Sequence, residues 1–216
     1  IDRLGSVDEG NSVADYATDE IDRKMTINCS ICVAEWKGHK INLIDTPGAE
    51  DLYGDLASAL RVVEAVIIVI DATTGVEAGT EKIWESIQRH KLPSLFFVNK
   101  MDKEGADFKN AVSTIEDVLE TKPAVAQLPI GAESDFSSVF DLIHFDDANI
   151  PEDLIEEAQE DREMLTEIAA ESDEELIEKF FEDGELTGEE IELGIRNGLK
   201  SGEVIPAISG SATQNI

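Results

Sequence analysis

Residues 94–102, Ser-Leu-Phe-Phe-Val-Asn-Lys-Met-Asp, carry a short apolar run directly into a polar loop. An apolar run of this length predicts a strand that is covered on both faces, as in a parallel sheet. Residues 65–71 form a second run of the same kind, which also ends in an acidic residue. Segments with helical periodicity separate such runs, so the chain is predicted to be an α/β protein with a mainly parallel sheet flanked by helices.

The N-terminal part of the chain is predicted to contain a hairpin. Residues 26–36 are rich in β-branched and apolar side chains, residues 37–39 form a turn, and residues 40–45 form the second strand. Further strands are predicted at residues 65–71, 93–98, 125–130, 138–145 and 204–208, and helices at residues 51–63, 77–90, 107–120, 151–170, 172–181 and 187–200.

The charge of the chain limits its partners. It has 17 basic and 48 acidic residues, a net charge of −31. A negative field of this size disfavours binding to phosphate backbones, so free nucleic acid is not an expected partner. The longest apolar run, residues 65–70, is far shorter than the roughly 20 residues of a membrane-spanning helix, so no membrane partner is expected. The first four residues do not resemble a signal peptide, which favours a cytoplasmic location.

Residues 133–200 differ from the rest of the chain, because they contain 24 acidic and 4 basic residues, a net charge of −20. Three of the predicted helices lie here. Pro151 stands at a helix start, and Thr187 lies three positions before Glu190, which are both signals of a helix N-terminus. We therefore predict an inserted acidic helical subdomain at residues 133–200, within an α/β domain that residues 1–132 and 201–216 form.

Cys29 and Cys32 are the two cysteines of the sequence and have the C-x-x-C spacing of zinc and redox sites. A second pair of ligands is missing, however, and both residues lie in a predicted strand, where positions three apart point to opposite faces. The sequence therefore favours ordinary strand packing for both.

The loop Asn99-Lys100-Met101-Asp102 follows a predicted strand, and ligands of parallel sheets bind at the carboxyl ends of strands. An aspartate carboxylate only accepts hydrogen bonds, so it matches the adjacent N1–H and N2 amino donors of guanine but not the acceptor N1 of adenine. The methylene stem of Lys100 can lie along the purine face, and Asn99 can tie neighbouring loops together. The alternative is an ordinary polar loop, since chance produces this pattern in roughly a few per cent of such chains.

Two further loops at strand ends are candidates for the same site. Asp45-Thr46-Pro47-Gly48 offers a carboxylate and a glycine whose amide can approach a phosphate. Ser209-Gly210-Ser211-Ala212 consists of small residues that let a backbone amide donate to the guanine O6. Each loop alone equally fits an ordinary turn. Their order along the chain, D-x-x-G, N-K-x-D and S-A, is the order that guanine-nucleotide proteins use.

On these motifs the sequence resembles the GTP-binding domain of the bacterial elongation factor G family, which has a P-loop GTPase-type fold. The resemblance extends over essentially the whole chain, including residues 24–27, 60–62, 128–132 and 169–176. The 109 positions between Asp102 and Ser211 also match this family, whose domain carries an insertion there. The resemblance implies GTP or GDP and Mg²⁺ as ligands and the ribosome as partner, with the acidic insertion as a surface for the ribosomal stalk protein.

The resemblance also implies individual site residues. The tract 7–12 with Asp15-Tyr16 is similar to the switch region of the family, whose threonine corresponds to Thr26. By that match Thr26 would sense Mg²⁺ and the γ-phosphate, and Asp45 would hold Mg²⁺ through water. The implied GTP-binding residues are Asp45, Thr46, Pro47, Gly48, Ala49, Asn99, Lys100, Met101, Asp102, Gly210, Ser211 and Ala212.

The sequence departs from the family in two ways. Translational GTPases usually have a histidine that helps to position the attacking water where this chain has Ala49, and a methyl group cannot orient water. No catalytic residue is therefore assigned, and a paralogue is favoured over the main translocase. The 216 residues also contain no G-x-x-x-x-G-K-[ST] sequence. The resemblance thus predicts the first strand and the phosphate loop upstream of Ile1, an inactive polypeptide in their absence, and a second omission between Phe145 and Pro151.

Two hypotheses follow for the function. In the first, the chain is the GTPase domain of an elongation factor G-like translational factor, in which GTP with Mg²⁺ orders the switch segment and hydrolysis to GDP releases it. In the second, it is a ribosome-binding or stalk-binding module of a paralogue with little or no GTPase activity. A protection or release factor of the same superfamily matches the insertion less closely.

Overall fold

The computed structural model describes residues 5–7, 9–145 and 150–216. The chain divides into two units, residues 1–63 and 64–216. The omission predicted near residues 145–151 falls mainly on residues 146–149, which lie outside the described residues, as do residues 1–4 at the start of the chain.

The N-terminal unit contains the predicted hairpin. Strands β1 (Ser30–Trp36) and β2 (His39–Asp45) pair in antiparallel orientation along their whole length. The turn between them places Lys37 at φ 47° and Gly38 at φ 78°. Two successive left-handed residues give a turn whose twist matches that of the strands, which explains the tight connection.

Two short helices flank this hairpin in sequence. Helix α1 (Thr18–Arg23) precedes it, and helix α2 (Tyr53–Ala59) follows a 3₁₀ turn at Glu50–Leu52. The helix predicted at residues 51–63 is thus shorter than expected, because the amides of Arg61 and Val62 bond to carbonyls three residues back and tighten the last turn. Helix α1 was not predicted, since its largely polar sequence has no apolar face.

The first strand was predicted to begin at residue 26, and this prediction is wrong by four residues. The carboxylate of Glu20 accepts hydrogen bonds from the backbone amides of Ile27 at 3.1 Å and Asn28 at 3.0 Å. A side chain therefore satisfies these two amides, and they need no strand partner. The β-branched residues of the segment favour a strand and do not reveal these hydrogen bonds to Glu20.

The C-terminal unit has the strands β3 (Val66–Asp71), β4 (Ser94–Asn99), β5 (Ala124–Val125), β6 (Gln127–Ile130), β7 (Ser138–Asp141) and β8 (Pro206–Ser209). Four of them form one sheet in the order β3, β4, β8, β5, and every neighbouring pair is parallel. Ile70, Phe96 and Val98 are buried in this sheet. The mainly parallel sheet predicted from the apolar runs is confirmed.

Two helices follow the first two strands of the sheet. Helix α3 (Ala78–His90) follows β3, and its buried Trp84 lies with its ring centroid 5.4 Å from that of Phe96. Helix α4 (Phe108–Leu119) follows β4 and begins after Asp107, whose side chain accepts a hydrogen bond from the amide of Asn110. Both helices lie within two residues of their predicted bounds.

The strand predicted at residues 125–130 is two strands. At Ala126 the chain leaves the parallel sheet, since its amide donates to Ala207 while its carbonyl accepts from Leu142. Strand β6 then pairs with β7 in a separate antiparallel hairpin. The strand predicted at residues 138–145 ends at Asp141, because the Asp141 carboxylate accepts hydrogen bonds from the amides of Ile143 and His144 and turns the chain.

The acidic part of the chain folds into the helices α5 (Ile155–Glu171), α6 (Glu174–Asp183) and α7 (Gly188–Ser201). The predicted start of α7 is confirmed, since Thr187 and Glu190 form a capping box there. Helices α5 and α7 lie so close that a Cβ on Gly194 would come within 2.3 Å of the Ala169 carbonyl oxygen. Within the described residues, none of the helices combines the length and apolar character needed to cross a membrane.

Candidate functional site

Hydrogen bonds join two loops at the carboxyl ends of the neighbouring strands β4 and β8. The side-chain oxygen of Asn99 accepts from the Ala212 amide at 3.0 Å, and the Met101 amide donates to the Gly210 carbonyl at 3.2 Å. The side chain of Met101 is buried and anchors its loop. The parallel sheet thereby brings together seven of the predicted residues: Asn99, Lys100, Met101, Asp102, Gly210, Ser211 and Ala212.

Asp102 is held by two hydroxyl groups from the second loop. Ser211, which is completely buried, donates to its Oδ1 at 2.6 Å, and Thr213 donates to its Oδ2 at 3.0 Å. The hydrogen bond from Ser211, and after it that from Thr213, holds the pKa of Asp102 below its usual value against the opposing effect of desolvation. The site therefore presents an ionised and oriented carboxylate.

Lys100 is oriented by the end of the neighbouring strand β3. Its backbone lies in the left-handed region with φ 65°, and its ammonium group lies 2.6 Å from Oδ2 of Asp71. Asp71 Oδ1 accepts from the amide and the hydroxyl of Thr73. Desolvation acts to raise the pKa of Asp71, but the hydrogen bonds from Lys100 and Thr73 outweigh it, and the pKa is lowered. The ion pair holds the lysine stem along the strand ends.

The small residues of the second loop have different roles. A Cβ on Gly210 would come within 2.4 Å of the Ile216 carbonyl oxygen and 2.7 Å of Phe97 Cζ, so packing requires a glycine there. The sequence suggested that a backbone amide of this loop donates to a base oxygen, and the amide of Ala212 already donates to Asn99. A contact to a base oxygen would share or replace that bond.

In the N-terminal unit, Asp15 bonds to one of the predicted residues and repels another. Its Oδ1 accepts a hydrogen bond from the Thr26 hydroxyl at 2.8 Å. The pKa of Asp45 is raised, first by desolvation of its carboxylate and then by repulsion from the carboxylates of Asp15 and Glu20. The carboxylates of Asp15, Glu20 and Asp45 are therefore close enough to influence one another.

The segment Thr46-Pro47-Gly48-Ala49 follows β2. Pro47 is buried, whereas Gly48 is exposed, and a Cβ on Gly48 would meet no atom within 4 Å. Neither the packing of the described residues nor a left-handed φ requires glycine at position 48, which fits a role toward a ligand. The carbonyl of Ala49 accepts from the Leu52 amide, and its methyl side chain offers no polar group.

Sequence reasoning missed three residues of these clusters. Thr213 lies one position beyond the predicted loop, and Asp71 ends a predicted strand, so the rule that ligands bind at strand ends could have indicated both. Glu20 had no such signal, because acidic residues are abundant throughout the chain. Asp15 was noted in the tract similar to the switch region, but not as the hydrogen-bond partner of Thr26. Cys29 and Cys32 are free thiols. In the part of the chain that the structure describes, no three His, Cys, Asp or Glu side chains are placed to hold a metal ion by themselves.

Comparison with known proteins identifies one family. The sequence matches the family described as "Elongation factor Tu GTP binding domain" over residues 1–216. Similar curated proteins are the elongation factors G of Thermotoga sp. (strain RQ2), Thermotoga petrophila and Thermotoga maritima. Each is 40% identical over 225 residues, which cover 98% of this chain and 32% of the relative. The chain therefore spans about a third of the length of these relatives.

A solved structure has the same fold. The crystal structure of a protein from Thermus thermophilus superposes with a TM-score of 0.89 at 27% sequence identity. The match covers 100% of this chain and 34% of that chain. The likeness in structure thus extends over the length of this chain and over about a third of the longer protein.

Proposed function

Because the chain belongs to the family of the elongation factor Tu GTP-binding domain, we propose that it binds guanine nucleotides in an elongation factor G-like GTPase that acts on the ribosome. One observation carries the proposal. Asp102 stands at the carboxyl end of a parallel strand, ionised and held by two hydroxyl groups. Its two oxygens can accept the N1–H and N2 amino hydrogens of guanine, which would displace the Thr213 hydroxyl from its place beside that of Ser211. Lys100, held by Asp71, would lie along the base.

We propose that Thr46, Pro47, Gly48 and Ala49 approach the phosphates and that Thr26 and Asp45 hold Mg²⁺. The pKa of Asp45 is raised first by desolvation and then by repulsion from Asp15 and Glu20, and a divalent cation would favour its ionised form. Mg²⁺ is usually bound through one or two protein groups together with phosphate oxygens, so this small set of protein ligands fits. When bound, the ion would neutralise charge on the phosphates. The hydroxyl of Thr26, now on Asp15, would have to turn toward the ion.

The 216 residues contain no G-x-x-x-x-G-K-[ST] phosphate-binding sequence. Among the described residues, β3 is an edge strand of the parallel sheet, and its Ile67 and Val69 are 55% and 59% exposed. An edge strand presents backbone amides and carbonyls that can pair with another strand. We propose that a strand carrying a phosphate loop pairs with this edge. The polypeptide of 216 residues alone would then bind GTP and GDP weakly.

Residues 133–200 are proposed to be an inserted subdomain in a cytoplasmic factor, with residues 1–132 and 201–216 as the nucleotide-binding domain. Its surface carries a net charge of −20 and is proposed to bind the ribosomal stalk protein. The alternative function is a binding module of a paralogue with little or no GTPase activity. Ala49 favours that alternative, because its side chain cannot orient a water molecule.

The substitution Asp102→Asn tests the proposed base recognition. The amide can donate to the C2 carbonyl of xanthine, where the carboxylate could only accept, so the preference should move from GDP to xanthosine diphosphate. Competition between the two nucleotides measures the change, and Asp117→Asn, an exposed substitution on α4, is the control. An unchanged preference for GDP in the Asp102 variant would refute the assignment of Asp102 as the base-binding residue.

A further inference from the structure

We propose that Glu133 is a positioning residue for guanine binding, because it holds the loop that carries Asp102 at two points, one before and one after that residue. The inference rests on the proposed binding of guanine by Asp102 and adds to it a residue that none of the predicted motifs contains. Glu133 lies just beyond β6 and is the first residue of the acidic stretch, residues 133–200.

Glu133 contacts the loop through both its backbone and its side chain. Its amide donates to the carbonyl of Met101 at 2.8 Å, and its Oε1 accepts from the amide of Gly105 at 2.7 Å. Met101 precedes Asp102 in the sequence and Gly105 follows it, whereas Glu133 lies 28 positions beyond Gly105. The two hydrogen bonds therefore attach both sides of the proposed base-binding residue to a segment that is distant in sequence.

The turn that carries Glu133 is closely defined. Gly131 has φ 77°, and a Cβ there would lie 2.1 Å from the carbonyl oxygen of Asp135, so the turn requires glycine at this position. Glu133 itself has φ 54°, a left-handed conformation that is unfavourable for a residue with a side chain and persists only where the surrounding structure holds it. The buried side chain of Phe136 anchors the end of the turn. The carboxylate of Glu133 is thus presented from a fixed backbone.

The side-chain hydrogen bond acts on the residues that follow Asp102. There the amides of Lys103 and Ala106 donate to carbonyls three residues back, so these bonds shape local turns and do not join the loop to another element. Gly105 is exposed and has φ 83°, and a glycine gains much conformational freedom when its contacts are lost. Without the carboxylate of Glu133, the loop should sample more conformations, and guanine binding would have to order it at a cost in free energy.

The test uses the 216-residue polypeptide and two variants of Glu133. Glu133→Ala removes the carboxylate, whereas Glu133→Gln keeps an acceptor oxygen on a side chain of the same length. Both variants keep the backbone amide that bonds to Met101, and both keep a Cβ at the left-handed position. Asp141→Ala is the matched control, since Asp141 is exposed at the end of β7 and also accepts from a backbone amide, that of Ile143, at 2.8 Å.

Two measurements are made on each protein. Hydrogen exchange of the Gly105 amide in the absence of nucleotide reports the order of the loop. Nuclear magnetic resonance titrations with GDP and with ADP, up to millimolar concentration, report the affinity and show in the same spectra whether the fold is intact. ADP is the reference ligand, because adenine lacks the two donors that would bind the carboxylate of Asp102.

We expect Glu133→Ala to lower the protection of the Gly105 amide and to weaken GDP binding by about threefold or more, because a charge-assisted hydrogen bond that orders the loop is lost. Glu133→Gln should restore most of both quantities. The affinity for ADP should not change, and Asp141→Ala should leave GDP binding unaltered.

Three results would overturn the role of Glu133. The first is lower protection of Gly105 with unchanged GDP affinity, which would make the contact purely structural. The second is an equal loss of GDP affinity in the Asp141 control. The third is a loss of the preference for GDP over ADP in Asp102→Asn while Glu133→Ala binds GDP as the wild type does, and in that case the proposed function stands. If the unmodified polypeptide shows no preference for GDP over ADP, both proposals are wrong.

Discussion

Glu20 has only 1% of its surface exposed, yet it is ionised, because its carboxylate accepts hydrogen bonds from the backbone amides of Asn28, Ile27 and Ala17. These bonds lower its pKa from 4.5 to about 2. The carboxylate connects the start of α1 to the segment that leads into β1. Since Thr26 lies between the bonded residues, Glu20 also fixes the backbone that carries one of the proposed Mg²⁺ ligands.

The substitution Glu20→Gln should loosen this segment, because Ile27 and Asn28 donate to one carboxylate oxygen and Ala17 donates to the other, whereas glutamine has one uncharged acceptor oxygen. Hydrogen exchange at neutral pH should show lower protection of the Ala17 amide or of the Ile27 and Asn28 amides, according to which side the glutamine oxygen faces. Glu64→Gln, which removes one charge at an exposed position, is the control. Equal protection in the two variants would contradict the proposed role of the carboxylate.

The lowered pKa of Glu20 predicts how the free energy of unfolding depends on pH. A carboxyl group whose pKa is lowered in the folded state stabilises it fully above the pKa of the unfolded chain and loses this contribution as the pH falls through the folded value. For Glu20 that window extends from 4.5 down to about 2. Urea denaturation should therefore show a difference in the free energy of unfolding between the wild type and Glu20→Gln that is constant near neutral pH and shrinks below pH 4.5. A difference that persists unchanged at the lowest pH would contradict this assignment.

Ala49 allows a prediction for the longer protein that would contain this chain. Ala49→His should raise ribosome-stimulated GTP hydrolysis, by about tenfold if positioning of the attacking water limits the rate. Single-turnover measurements separate this effect from nucleotide exchange, and Ala49→Leu controls for side-chain volume. Wild-type turnover that already equals that of a histidine-bearing relative would show that another residue orients the water.

The candidate site was predictable where its residues are close in sequence. A strand that ends in Asn99-Lys100-Met101-Asp102 carries its own local pattern, and parallel pairing places the loop after β8 beside it. Thr213 and Asp71 reach that loop only through the fold. Their contacts depend on which strands are neighbours, and no spacing in the sequence specifies that order.

Among the helices and strands, the long amphipathic helices were predicted best, because their apolar faces repeat over several turns. Helices α3 and α4 begin and end within two residues of the prediction. The strands differed more. At Ala126 one apolar run serves two sheets, and before β1 a buried carboxylate replaces a strand partner. In both cases a hydrogen bond from a distant residue decides the boundary.

At the contact between α5 and α7, two opposing free energies decide whether Gly194→Ala stabilises or destabilises the fold. Alanine is favoured over glycine inside a helix by about 1 kcal/mol. At Gly194, however, the new Cβ would lie 2.3 Å from the backbone carbonyl of Ala169, and forcing extra volume into a packed contact costs about 1–3 kcal/mol. Because the obstacle is backbone, which cannot turn aside, Gly194→Ala should lower the free energy of unfolding by about 1–2 kcal/mol.

Gly54 in α2 is the matched control, since a Cβ there would meet no atom within 4 Å. Gly54→Ala should raise the free energy of unfolding by up to about 1 kcal/mol. Urea denaturation of both variants measures the two effects. A stabilising effect at both positions would show that α5 and α7 separate easily and that their close approach is not required.

For the chain as a whole, charge is the dominant feature. Half of its 48 acidic residues lie in residues 133–200. In α5, Glu156, Glu160 and Glu163 are exposed and lie on one side of the helix, at positions i, i+4 and i+7. Glu157 is different, because its carboxylate lies 2.9 Å from the ammonium group of Lys109. A test of the surface charge should therefore leave Glu157 in place.

If the acidic helices attract a basic surface of the stalk protein, the association rate should fall steeply with added salt and fall again when Glu156, Glu160 and Glu163 are replaced by Gln. Glutamine keeps the size and nearly the helix propensity of glutamate, so the loss reports charge. We expect a decrease of about threefold or more at low ionic strength, because fields of this kind change association rates by about 10 to 1,000-fold in all.

The same change of charge at Glu64, Glu81 and Glu85, which are exposed outside residues 133–200, should have a smaller effect. Stopped-flow measurements between about 50 and 300 mM salt, that is from a Debye length of about 14 Å to about 6 Å, distinguish the two surfaces. A rate that responds to neither salt nor the α5 substitutions would mean that the acidic helices serve only to keep the protein soluble.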